Sequence, residues 1–124
     1  MVLADFEAMA TIAVKDLEIA RKFYEGTLGL KRAGNEMGVL DFKSGNSRII
    51  VYQSQYAGTN KATSATWAVS DAEAVVSELK AKGVKFEHYD LPGLTRKDDL
   101  HIAGSFKAAW FKDPDGNILH VNST

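Results

Sequence analysis

The feature that most constrains the fold is an internal repeat. MATIAVKDLEIARKFYEGTLGL (9–30) and SATWAVSDAEAVVSELKAKGV (64–84) superpose at an offset of 55 residues, which pairs Asp16 with Asp71. Each segment begins with apolar residues at every second position, the period of a half-buried strand, and continues with the spacing of a helix. Such a match indicates that the chain contains two copies of one supersecondary unit.

The boundaries of each predicted helix are marked by residues with a physical reason to be there. Asp16 and Asp71 precede the helical spacing, where an aspartate side chain accepts hydrogen bonds from the first free backbone N–H groups. Gly29 and Gly83 follow it, and glycine readily adopts the left-handed conformation that ends many helices. Both segments therefore predict a strand, a capped helix and a stop.

Short strand-like pieces follow each helix and are separated by turn signals. The clearest signals are 44–46 (SGN) and 113–117 (DPDGN), since glycine and asparagine accept positive φ and proline pre-sets the first turn position. The pieces are KRAGNEMG, GVLDFKSGN and RIIVYQS in the first half, and KFEHYD, FKAAWFKDPDGN and ILHVN in the second. This order predicts an α+β fold with two βαβββ units, at about 5–56 and 60–124, in a single domain 1–124.

One segment does not fit the repeat. LPGLTRKDDLHIA (91–103) is polar and longer than a tight turn, so residues 91–104 are interpreted either as a lid over a site or as a solvated loop.

Charge and composition limit the classes of partner. The 15 Lys and Arg residues nearly balance the 16 Asp and Glu residues and are scattered, which argues against a nucleic-acid or anionic-membrane surface. No segment has the roughly 20 apolar residues of a membrane span, and no basic flank with an apolar run opens the chain. Absence of cysteine excludes thiolate chemistry and disulfides. A cytoplasmic protein with a small-molecule partner is the expectation.

The sequence resembles the vicinal oxygen chelate superfamily in three features taken together. They are FYEGTLGL after the strand–Asp–helix start, the matching second half, and DPDGN before a short apolar strand. Glyoxalase I, extradiol dioxygenases, fosfomycin-resistance enzymes and bleomycin-binding proteins belong to this superfamily. The resemblance implies that the two βαβββ units form an incomplete mixed-sheet barrel around a cavity. It also implies a homodimer.

The same resemblance implies where a divalent metal would be held. The family's four ligand positions fall on Met9, Ile50, Ser64 and His120, with Tyr52 as the other candidate for the second position. These four side chains supply too few donors to replace the hydration shell of a divalent cation, because they are a thioether, an alkyl group, a hydroxyl and one imidazole. We therefore expect no metal and no other cofactor. A makeshift site of His88, His101 and His120 is the less favoured alternative.

The resemblance also implies that Trp110, the third residue before Asp113, faces the cavity. Strand alternation from Trp110 and from the four ligand positions then predicts the other lining residues. The complete lining is apolar and aromatic with a few hydroxyls: Met9, Thr11, Ile50, Tyr52, Ser64, Thr66, Phe106, Trp110, Ile118 and His120. Such a lining suits a planar, partly apolar ligand stacked on an aromatic ring. Plain packing is the competing interpretation of Trp110 and Phe106.

Two classes of function stay open. The first is a metal-independent small-molecule-binding protein of the glyoxalase and bleomycin-resistance type. The second is a glyoxalase-like lyase or isomerase, or another enzyme, with an unusual metal site or none. In that case His120 is the candidate catalytic acid or base, because imidazole exchanges protons near neutral pH. No carboxylate is obviously placed to orient it, although Glu87, Asp90, Asp98 and Asp99 lie near the unassigned segment.

Overall fold

The structure, a computed structural model, describes residues 2–34 and 38–124. The described residues form an α+β fold with two compact units, Met1–Thr59 and Asn60–Thr124. Each unit has a mixed, open sheet and a helix, so the prediction of two βαβββ-like units is confirmed. None of the described helices is long and apolar enough to cross a bilayer.

The first unit has four strands in the order β1-β4-β3-β2, with β1 parallel to β4 and the other neighbours antiparallel. Its elements are β1 (Ala10–Val14), α1 (Leu17–Arg21), a π-helical segment (Lys22–Thr27), β2 (Lys31–Gly34), β3 (Val39–Ser44) and β4 (Ser47–Gln53). The predicted strand 31–38 extends past β2 into residues 35–37, which lie outside the described residues.

The second unit repeats this order with additional strands. Strand β5 is parallel to β10, and the sheet continues through β9 and β8 to β7, while β6 also pairs with β9. Its elements are β5 (Thr63–Ala68), α2 (Ala72–Ala81), β6 (Phe86–Glu87), β7 (Thr95–Lys97), β8 (Leu100–Ala103), β9 (Phe106–Lys112) and β10 (Ile118–Ser123).

Aspartate caps begin both helices, as predicted. The Asp16 carboxylate accepts hydrogen bonds from the backbone N–H groups of Glu18 and Ile19 at 2.9 and 3.2 Å, and Asp71 accepts one from Ala74 at 3.1 Å. The first helix then widens into the π-helical segment, where Leu28 N–H reaches the Phe23 carbonyl at 2.9 Å. Helical spacing in the sequence did not distinguish this wider turn from an α-helix.

In each unit one face of the sheet packs against the helix and carries the core. Tyr24 of the π-helical segment stacks on Phe42 of β3 with ring centroids 6.0 Å apart, and both side chains are buried. In the second unit Phe111 of β9 is buried on the corresponding face and contacts Phe86 edge to face. We call the opposite side of each sheet the helix-free face. It carries the alternate residues of each strand.

Both predicted hairpin turns are present. Strand β3 passes into β4 through Gly45 and Asn46, with Gly45 at φ +57°. In the second turn Asp113 is buried, and its carboxylate accepts hydrogen bonds from Asp115 N–H, Asn117 N–H and the Asn117 amide at 3.0, 2.9 and 2.8 Å. The DPDGN sequence therefore folds as a self-bonded turn that fixes the start of β10.

Half of the unassigned segment 91–104 is sheet. Strands β7 and β8 pair through a two-residue turn, in which Asp98 adopts φ +56° and its carbonyl accepts a hydrogen bond from Arg96 at 2.9 Å. Aspartate is one of the few residues that tolerate this left-handed conformation. The solvated-loop interpretation is therefore replaced by a hairpin in residues 95–103, and the lid stays a prediction.

Candidate functional site

Residues of five strands form a cluster on the helix-free face of the second unit. Strand register places Trp110 of β9 directly opposite His120 of β10, with Thr66 of β5 on one side and Glu87 of β6 on the other. In the neighbouring row His101 of β8 lies opposite Ala108. Because side chains of one face alternate along a strand, these residues meet on the same surface.

Trp110 lies at the centre of the cluster. Its indole stacks on the His120 imidazole with centroids 4.3 Å apart and an interplanar angle of 21°. The His101 ring meets the indole edge to face at 4.9 Å, and the Tyr89 ring does so at 5.5 Å. Trp110 keeps part of its surface accessible, whereas His101 and His120 are 1% and 8% exposed. The cluster is thus an aromatic platform with one accessible indole.

Hydrogen bonds assign the tautomer of both histidines. The Nδ1 atom of His120 lies 3.0 Å from the Ala109 carbonyl, which can only accept, so Nδ1 carries the proton. Its Nε2 then accepts from the Asn122 amide nitrogen at 3.1 Å. His101 follows the same pattern, with Nδ1 3.3 Å from the Ala108 carbonyl and Nε2 accepting from Tyr89 N–H at 3.0 Å.

The environment of His120 favours its neutral form. Burial lowers the pKa of His120, the hydrogen bond to the Ala109 carbonyl acts in the opposite direction, and nearby His101 lowers the pKa further. Removal of the cationic imidazole from water is the dominant cause. At neutral pH the ring is therefore an uncharged part of the platform.

Two of the four carboxylates in or near the unassigned segment, Asp99 and Glu87, have other partners. Asp99 binds Lys80 of α2 at 2.7 Å and His88 at 2.8 Å, and these hydrogen bonds lower the pKa of Asp99. Glu87 forms an ion pair with Lys112 at 3.5 Å. His120 is instead oriented by a backbone carbonyl, which residue types in a sequence do not reveal.

A separate pocket of about 170 Å³ lies between α2 and the β7–β8 hairpin. Its lining mixes apolar side chains with charged ones of both signs, and the Lys80–Asp99 ion pair lies in it. Sequence reasoning missed this pocket because the β7–β8 hairpin was not predicted.

Six predicted lining residues belong to the second unit, and the cluster includes three of them. Trp110, His120 and Thr66 share one row of the sheet, and Ile118 precedes His120 by two residues on β10. Phe106 is the first residue of β9 and lies opposite Ala103, and Ser64 lies near the start of β5. His101, Tyr89 and Asn122 were missed. Asn122 follows His120 by two residues, so strand alternation alone could have indicated it.

The other four predicted lining residues belong to the first unit. Thr11 and Ile50 are register partners on the helix-free face, and Tyr52 follows Ile50 on the same face. Met9 precedes β1 and is half exposed. Asp41 and Arg48 form an ion pair on this sheet, which lowers the pKa of Asp41 through the hydrogen bond from Arg48.

The donor set at the four family positions does not fit a divalent metal. Met9 offers a thioether, Ile50 offers no donor and Ser64 offers a neutral hydroxyl. His120 has both ring nitrogens engaged in hydrogen bonds. Within residues 2–34 and 38–124, no three His, Cys, Asp or Glu side chains are grouped so as to hold a metal ion. The alternative metal site of His88, His101 and His120 does not fit a metal either. His88 is hydrogen-bonded to Asp99, and both ring nitrogens of His101 are engaged by Tyr89 N–H and the Ala108 carbonyl.

Solved structures with this fold cover almost the whole chain. The glyoxalase family protein from Enterococcus faecalis is 20% identical, with a TM-score of 0.73 over 98% of this chain and 99% of its own. A glyoxalase/bleomycin resistance protein/dioxygenase superfamily member from Sphaerobacter thermophilus is 22% identical, with a TM-score of 0.70 over 96% and 97%. The fosfomycin resistance protein FosX from Listeria monocytogenes is 13% identical, with a TM-score of 0.72 over 96% and 93%.

Comparison with curated proteins found no match. The family model described as Glyoxalase/Bleomycin resistance protein/Dioxygenase superfamily matches residues 8–121, a range that includes both βαβββ-like units and ends just after His120. The repeat, the strand order and this match agree, and the chain therefore belongs to the glyoxalase/bleomycin resistance protein/dioxygenase superfamily.

Proposed function

We propose that the protein binds a planar, partly apolar small molecule without a metal ion, on the helix-free face of its second unit. The observation that carries this proposal is the Trp110–His120 stack, in which a partly accessible indole is held rigid by a buried, hydrogen-bonded imidazole. A ring whose orientation is already fixed loses little conformational freedom when a flat ligand stacks on it.

Binding is favoured over catalysis by His120 for a geometric reason. A general base needs a lone pair that reaches the substrate, but Nε2 accepts from Asn122 and Nδ1 donates to the Ala109 carbonyl. Proton transfer would first require one of these hydrogen bonds to break. The fit of the family positions to a metal is also poor, which disfavours a glyoxalase-like metal enzyme.

Tryptophan fluorescence tests the proposal directly. The chain has two tryptophans, so a Trp67→Phe variant leaves Trp110 as the sole indole emitter. We expect planar bicyclic heterocycles to change its emission in a saturable manner, and saturated compounds of equal size to change it much less. A Trp110→Phe variant that retains Trp67 is the matched control. Failure of every planar compound to alter Trp110 emission or raise Tm would overturn the proposal.

Metal analysis addresses the rival enzyme. Protein purified without chelators is expected to contain far less than one equivalent of zinc, nickel, manganese or iron. A stoichiometric metal lost in His120→Ala would contradict metal-independent binding. Turnover of a substrate by the wild type, abolished in His120→Ala, would make the protein an enzyme.

The homodimer and the cytoplasmic location are also part of the proposal. Exposed apolar side chains at the start of the chain, Val2, Leu3 and Phe6, supply surface that association could bury. Sedimentation equilibrium measures the oligomeric state, and a monomer at all concentrations would contradict the homodimer.

A further inference from the structure

We propose that Asn122 selects the ligand through its side-chain amide, that His120 positions this amide, and that the preferred ligand is an uncharged planar compound with a lactam edge. A lactam edge is an N–H donor beside a C=O acceptor in one ring. This inference rests on the proposed function and deepens it, because it names a ligand class and the residue that recognises it.

The first step is the chain of hydrogen bonds that orients the amide. The Ala109 carbonyl fixes the proton on His120 Nδ1, which leaves Nε2 as an acceptor. Nε2 therefore accepts a hydrogen bond from the side-chain NH₂ group of Asn122, and the side-chain carbonyl oxygen of Asn122 points elsewhere. In the absence of such a partner the two ends of an asparagine amide are interchangeable, so His120 determines which way Asn122 points.

The second step is the space beside the amide. Asn122 lies between Ala68 of β5 and Ala108 of β9 in the strand register, and both neighbours have small side chains. Asn122 itself is half-buried. After the bond to His120, the amide retains one N–H and the carbonyl oxygen for another partner. These two groups can pair with the C=O and the N–H of a lactam.

The third step is the distance from the stacking surface. Trp110 is opposite His120, and Asn122 is the next residue of β10 on the same face. Diagonal neighbours across a strand pair are roughly 7–8 Å apart, which is about the width of a bicyclic ring. A flat ligand on the Trp110 indole therefore reaches Asn122 with its edge.

The fourth step concerns charge. His120 is held in its neutral tautomer and Asn122 is uncharged, while Glu87 beside Trp110 is paired with Lys112. An ionised ligand would lose its hydration without a matching charge from His120 or Asn122. The platform therefore favours a neutral ligand.

Heteronuclear NMR tests the positioning role without any ligand. In ¹⁵N-labelled wild type at pH 7.5, the His120 ring is expected to show a protonated Nδ1 and a bare Nε2. The opposite tautomer would overturn the inference. Neutral Nδ1–H is expected to persist in Asn122→Leu, because the Ala109 carbonyl remains.

The same samples test selectivity with two probes of equal shape. 1-Isoquinolone has the lactam edge, and isoquinoline has only an acceptor. We expect wild type to bind 1-isoquinolone about tenfold more tightly, the order expected for one or two added hydrogen bonds. In Asn122→Leu this preference should fall to about one, because the hydrogen bonds that distinguish the two probes are lost.

His120→Phe keeps a ring under Trp110 but removes the Nε2 acceptor, so it should also lose the preference while both probes still shift the Trp110 indole signal. Gln53→Leu removes an amide from the first unit and is expected to keep the tenfold ratio. Asn122→Ser provides a smaller change should the leucine variant not fold, and it too should lower the ratio.

The outcomes separate this inference from the proposed function. Equal affinity of wild type for the two probes, or a tenfold preference that survives in Asn122→Leu, would overturn the role of Asn122 and leave stacking on Trp110 intact. If neither probe shifts the Trp110 signal, both the proposed function and the lactam class are wrong.

Discussion

The helix-free faces of the two units differ far more than their helix-covered faces. Each helix-covered face contains a buried phenylalanine on the strand before the last one of its unit, Phe42 on β3 and Phe111 on β9. Each phenylalanine packs against another aromatic ring. The helix-free face of the first unit instead carries an accessible Tyr52 and an ion pair, whereas that of the second carries the rigid Trp110–His120 stack. The repeat therefore preserves packing, and the two faces diverge in chemistry.

The largest expected effect tests the similarity of the two cores. Phe42→Ala and Phe111→Ala each remove a buried ring and leave a cavity, so each should lower the free energy of unfolding by about 3–5 kcal/mol. Urea denaturation followed by circular dichroism measures both. A cost below about 1 kcal/mol for either variant would show that the two cores are not equivalent.

The next effect tests the difference between the helix-free faces. Trp110→Ala removes the stack on His120 and should lower the free energy of unfolding by about 2 kcal/mol. Tyr52→Ala, on an accessible ring of the first unit, should cost less than about 1 kcal/mol. Thermal and urea unfolding of the two variants make the comparison, and equal losses would contradict it.

Helix caps provide a smaller effect in both units. Asp16→Ala and Asp71→Ala should each cost about 1 kcal/mol, because each leaves backbone N–H groups at a helix start without their acceptor. Ser123 of β10 also accepts from the Ala72 N–H at 3.0 Å, so loss of Asp71 should be the milder change. Tm shifts relative to the matched substitutions Asp16→Asn and Asp71→Asn measure the two caps.

The smallest effect is a pH dependence that comes from His120 of the second unit. The folded pKa of His120 lies below that of the unfolded chain, so below about pH 6.5 the unfolded state binds more protons. Stability is fully present above the unfolded pKa and falls as pH decreases toward the folded pKa. Urea unfolding between pH 8 and 5 should show this fall in wild type and a shallower one in His120→Gln. Identical slopes would contradict a lowered pKa.

Local signals in the sequence predicted the repeat, the caps and the turns correctly. Asp16, Asp71 and the DPDGN turn act through backbone groups within a few residues, so their roles follow from local chemistry. The β7–β8 hairpin was missed because its turn depends on Asp98 in a left-handed conformation, which the residue type permits but does not require. His101 was consequently assigned to a loop although it is buried in a strand.

The sequence by itself determined the two βαβββ-like units, because strand and helix periods are properties of neighbouring residues. Only the tertiary structure decided the state of His120. Its tautomer depends on the Ala109 carbonyl, and its partner depends on the Asn122 amide. The bond to Ala109 crosses from β10 to β9, so it depends on strand register and backbone direction, which residue types do not encode one by one. With Nδ1 protonated by this bond, Nε2 is left to accept from Asn122 of the same strand.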